Sequence, residues 1–108
     1  MSETSRIEKL QEFLKANKED SFLQHALALE FIKVGDDESA KNLFESILQR
    51  EPGYTGSYYH LGKLLERTNK IEEAIKNYEK GMEECKKIND KHSYNELQGA
   101  LEELESPL

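Results

Sequence analysis

An all-α fold, a short solenoid of about six helices stacked in pairs, is predicted by three observations. The chain matches itself at a shift of 34 residues: Leu27 recurs as Leu61, Glu38 as Glu72, Ala40 as Ala74 and Glu45 as Glu79. At the same shift Ala28 becomes Gly62, Phe31 becomes Leu65 and Phe44 becomes Tyr78. A period of this length marks stacked helix pairs, each burying its apolar side only against its neighbours. Apolar residues also recur three and four apart, the spacing of a helical stripe. Finally, 34% of residues are charged and only two are proline, which suits solvent-washed helices better than a thick mixed core. At 108 residues the chain is expected to be one domain, burying roughly two-thirds of its unfolded surface.

The first helix is expected from Glu3 to about Ala16, where Ile7, Leu10, Phe13 and Leu14 share one face. Asn17 to Asp20 breaks the pattern, and Ser21 followed by Gln24 reads as a capping box opening a second helix to about Val34. Gly35 falls where a helix end needs positive φ, and Asp36 and Asp37 supply a cap and negative charge for the third helix. That helix carries Ala40, Leu43, Phe44, Ile47 and Leu48 and stops at Pro52-Gly53. Thr55 caps the fourth, which carries Leu61, Gly62, Leu64 and Leu65 before the turn Thr68-Asn69-Lys70. Asn69 stands 34 residues after Gly35 and tolerates the same left-handed backbone. The fifth helix shows Ile71, Ala74, Ile75, Tyr78, Met82 and Cys85 on one face; Lys86 replaces Pro52, so it is free to run to about Ile88. Asn89-Asp90 caps a last helix with Tyr94, Leu97, Ala100, Leu101 and Leu104, and residues 106–108 are expected to fray.

These residues resemble the tetratricopeptide repeat family, and the resemblance implies antiparallel helix pairs stacked in a right-handed solenoid. The resemblance rests on Leu27, Ala28, Phe31, Gly35, Ala40, Phe44 and Pro52 in residues 21–54, and on Tyr58, Leu61, Gly62, Asn69, Ala74 and Tyr78 in residues 55–88. Departures are Gln24 at a favoured aromatic position, Ile47 and Gly81 where alanine is common, and Lys86 for the closing proline. The register implies an N-terminal capping helix (1–20), two repeats (21–54 and 55–88) and a C-terminal capping helix (89–108). Small residues at Ala28, Gly62, Ala40 and Ala74 would let helix backbones approach, with Phe44 and Tyr78 filling the gap toward the next pair.

The resemblance implies a non-catalytic scaffold or adaptor that binds a peptide or protein segment in its concave groove, lined by the first helix of each pair. It projects Phe22, His25, Leu29 and Lys33, then Tyr59, His60, Lys63 and Arg67, then Tyr94 and Leu97 onto that face. Rings mixed with Lys33, Lys63 and Arg67 would favour a segment of acidic character. The family's carboxylate clamp for chaperone tails is not carried over, because its positions hold His25, Leu29, His60, Asp90 and Tyr94. The alternative is a self-association module pairing two copies through Phe13, Leu101 or Leu104.

A net charge of -7 disfavours nucleic acid and anionic membrane as partners. No cofactor is expected: His25, His60 and His92 lie 35 and 32 residues apart, far from zinc-ligand spacing, and no phosphate loop or nucleophile motif is present. The pairs Glu72-Glu73, Glu83-Glu84 and Glu102-Glu103 read as solvated charges, and Cys85 reads as an inert core thiol, so no enzyme is expected. One cysteine and a polar start suggest the cytoplasm.

Overall fold

The computed structural model describes residues 3–106. Among them are six helices and no strand: α1 (Glu3–Ala16), α2 (Ser21–Lys33), α3 (Asp37–Arg50), α4 (Gly56–Arg67), α5 (Ile71–Ile88) and α6 (Lys91–Glu105). The all-α class expected from the apolar spacing is the one found. Ser106 has extended backbone, while Pro107 and Leu108, where fraying was expected, lie outside the described residues. The chain divides into two compact units, Met1–Glu51 and Pro52–Leu108.

In the first unit α2 packs against both α1 and α3. Its core includes Leu27, Ala28, Ala40, Phe44 and Ile47. Each large side chain buried this way contributes roughly 1.5–3 kcal/mol of apolar transfer. Gly35 takes φ +83 at the α2–α3 turn, and the carboxylate of Asp36 accepts from Ser39 N at 3.1 Å, as the turn chemistry required.

The start of α2 differs from expectation. Asp20 is the cap, accepting from Leu23 N at 3.0 Å, and no Ser21–Gln24 box forms. A carboxylate one residue earlier reaches the free amide, which leaves both polar side chains for tertiary work. Arg50 Nη2 donates to Ser21 Oγ at 2.7 Å and to Gln24 Oε1 at 2.8 Å, and Ser21 Oγ donates to Glu51. Gln24 thus fills an aromatic position of the family with a bond from α2 to the end of α3.

In the second unit α5 packs on α4 and α6, and α4 also touches α6. Asn69 and Asn89 adopt φ 63 and 59, so both turns are left-handed without glycine. Thr55 occupies the cap position of α4 but makes no capping bond; its Oγ1 donates to Asp90 Oδ2 at 2.6 Å, tying the start of α4 to the cap of α6. Asp90 itself accepts from Ser93 N at 3.1 Å, as expected of a cap.

The apolar stripe of α5 is also corrected. Its buried line runs Ala74, Tyr78, Gly81 and Cys85, while Ile71 is exposed and Ile75 and Met82 are half-buried. Tyr78 fills space inside its own pair: a Cβ on Gly62 would stand 2.1 Å from the Tyr78 ring. Gly81 is squeezed from both sides, since a Cβ there would meet Tyr58 Cγ at 2.7 Å and Leu97 Cδ1 at 2.8 Å. Alanine, common at this position of the family, would not fit beneath this tyrosine and leucine.

Candidate functional site

The packing of α4 sorts its residues into two sets. Ser57, Tyr58, Leu61, Gly62, Leu64 and Leu65 are buried, leaving Tyr59, His60 and Lys63 half-buried on the other side of the helix. The Tyr59 and His60 rings meet edge to face at 5.7 Å, and Lys63 Nζ lies 5.6 Å from the Tyr59 ring centroid. Lys63 also approaches Glu66 at 3.8 Å and Glu103, on α6, at 3.9 Å. Burial lowers the His60 pKa, with Glu96 pulling the other way, so the ring is biased toward the neutral form. Three of the expected residues therefore form one cluster of two rings and a cation.

Arg67 is exposed in the last turn of α4. Tyr94 is engaged by Lys86 of α5, whose Nζ lies 5.6 Å from its ring centroid, and it lines a cavity of about 360 Å³ with Cys85 and Asp90. Leu97 is fully buried, so it offers no surface to a partner. Burial pushes the Cys85 thiol up to about 11, which agrees with an unreactive core residue.

In the first unit His25 packs edge to face on Phe44 at 5.5 Å, Lys33 pairs with Glu30 at 2.8 Å, and Phe22 is 71% exposed. Leu29 lines a cleft between α1 and α2 of about 420 Å³, whose walls include Leu10, Phe13 and Ala26.

Two buried carboxylates escaped the sequence reading. Glu30, its side chain 8% exposed, is held by Arg6 of α1 and Lys33. Glu84 is equally buried, with Lys80 and Lys87 each at 3.0 Å, which corrects its expected place among solvated charges; Glu72, Glu73, Glu83, Glu102 and Glu103 are exposed. Lysines at i−4 and i+3 around Glu84 were the available signal. Arg6 lies 24 residues from Glu30, beyond the reach of any local pattern. Among the described residues no three His, Cys, Asp or Glu side chains are placed to hold a metal ion, and no helix is long and apolar enough to cross a membrane.

Comparison with known proteins places this architecture. Residues 55–91 match a tetratricopeptide repeat model. A tetratricopeptide repeat domain protein from Salinibacter ruber is 37% identical, with a TM-score of 0.78 over 82% of this chain and 90% of that one. The chain belongs to the tetratricopeptide repeat family. A Bordetella parapertussis protein at 22% identity shares the fold, with a TM-score of 0.78 over 91% of this chain and 85% of that one. Mouse aspartyl/asparaginyl beta-hydroxylase is 31% identical over 74 residues, 68% of this chain and 10% of that protein. The chain thus spans about a tenth of the length of the curated relatives it matches.

Proposed function

We propose that the chain is a non-catalytic scaffold that binds a peptide or protein segment along the first helices of its repeats. The supporting observation is the Tyr59–His60–Lys63 cluster, because the buried face of α4 does its packing without these three residues. Rings and a cation held half-buried at helical spacing suit a segment with apolar and acidic side chains. Arg67 and Tyr94 extend the candidate surface of the second unit, and His25, Leu29 and Lys33 form the candidate patch of the first. The likeness to a hydroxylase covers a tenth of that enzyme, and we read this chain as a binding module without that activity. A single cysteine, buried in the core, fits a cytoplasmic setting.

Crosslinked capture of partners by the full chain, repeated with Lys63→Glu and Arg67→Glu together, tests the reading. Loss of a captured partner supports it, and an unchanged set of partners overturns the assignment of this surface. Self-association is the second reading, favoured by the exposure of Phe13, whereas Leu101 and Leu104 are half-buried. A stable dimer in light scattering that dissociates on Phe13→Ser would establish it.

A further inference from the structure

The cleft between α1 and α2 combines features that the helix pattern alone does not explain. Its floor is apolar, built from Leu10 and Phe13 on one side and Ala26 and Leu29 on the other. Phe13 remains 52% exposed although a neighbouring helix lies alongside. An exposed phenylalanine beside an open cleft of about 420 Å³ is an apolar surface left without cover, and the volume falls within the roughly 300–1,000 Å³ typical of ligand sites.

The rim has the opposite sign from the molecule. Arg6, Lys9 and Lys33 border the cleft against one carboxylate, Glu30, a net of two positive charges on a chain of net -7. Glu30 is already engaged by Arg6 and Lys33, so it organises these two cations and offers little attraction of its own. Both cations stay about half exposed, with side-chain values of 43% and 51%, and so can still meet an incoming carboxylate. Lys9 is exposed at the same rim.

We infer that this cleft anchors a short acidic peptide segment by one large apolar side chain, with flanking carboxylates received by Lys9, Arg6 and Lys33. Charge selects the occupant: an apolar segment flanked by lysines would meet three like charges, whereas one flanked by glutamates or aspartates would be drawn in. The inference rests on reading the chain as a protein-interaction module, but it locates the anchor between α1 and α2, apart from the Tyr59–His60–Lys63 cluster.

Selection of a random 12-residue peptide library on the full 108-residue chain provides the test. The expected consensus is a phenylalanine, leucine or tryptophan flanked by carboxylates. The selected peptide should lose about tenfold or more in affinity on Phe13→Ala, the change expected when an apolar anchor contact is truncated. Lys9→Glu, at an exposed position, should weaken binding similarly and flatten its salt dependence. No enrichment, a consensus without acidic residues, or affinity indifferent to both substitutions would overturn the inference. Binding lost on Lys63→Glu but not on Phe13→Ala or Lys9→Glu would overturn it while keeping the wider reading. A dimer that forms without peptide and dissociates on Phe13→Ala would also overturn it, by assigning the cleft to a second copy.

Discussion

Two glycines of the second unit carry opposite expectations. On Gly62 a methyl group would stand 2.1 Å from the Tyr78 ring, which is buried and whose hydroxyl donates to Glu66. The ring cannot retreat without giving up that bond, so Gly62→Ala should cost about 1–3 kcal/mol through overpacking, despite the better helix propensity of alanine. On Gly99, in the exposed part of α6, a Cβ meets nothing within 4 Å, and Gly99→Ala should gain up to about 1 kcal/mol. Urea unfolding of both variants separates the two effects. Acid sensitivity also resides in single side chains. Hydrogen bonds from Lys33 and Arg6 hold Glu30, and those from Lys80 and Lys87 hold Glu84, below the ordinary 4.5. As pH falls below that value the unfolded chain takes up protons first. The stability these groups contribute is therefore present above pH 4.5 and is lost as pH drops through their folded values. Denaturation curves for Glu30→Gln with Glu84→Gln should show a shallower decline than the wild type from about pH 6 to pH 3.

At the scale of helices, three aspartates repeat one device. Asp20, Asp36 and Asp90 each accept a bond from the amide three residues on, opening α2, α3 and α6. Alanine at any of them should cost about 1 kcal/mol. Asp90→Ala should cost more than Asp36→Ala, since Thr55 Oγ1 also loses its acceptor. Thermal unfolding ranks the pair, and an equal effect would mean that the Thr55 bond adds nothing. Ser21→Ala offers a sharper comparison, because in the structure Ser21 serves Arg50 and Glu51 and is not a cap. Its loss should be accompanied by weaker protection of the last turn of α3 in hydrogen exchange, an effect that loss of a cap would confine to the first turn of α2.

For the whole molecule, the proposed scaffold role predicts a monomer at tens of micromolar concentration, and sedimentation velocity measures this directly. The net charge of -7 opposes self-association through mutual repulsion of copies, more so at low salt. A monomer–dimer equilibrium strengthened by added salt and abolished by Phe13→Ser would instead favour the self-association reading. Each unit buries its own set of large side chains, with Phe44 and Ile47 in the first and Tyr78, Leu64 and Leu97 in the second.

The sequence by itself determined the helix count, the helix boundaries to within about two residues and the left-handed turns at Gly35 and Asn69, because spacing and turn chemistry act over a few neighbouring residues. The same local rules put Asp36 and Asp90 at their caps and freed α5 to continue to Ile88. They failed where a side chain had two competing uses. Ser21 and Thr55 look like caps in sequence, yet a carboxylate from the preceding residue served α2, and a carboxylate 35 residues away claimed Thr55. Of the expected binding residues, Tyr59, His60 and Lys63 were legible as a group since they sit on one helix at neighbouring positions. The cleft holding Leu29 and the double pairing of Glu30 were not, because both need Arg6, Leu10 and Phe13 of α1 brought against α2. Burial on those faces is a property of the packed helices, and only the tertiary structure decides which charges it encloses and which apolar side chains it leaves open.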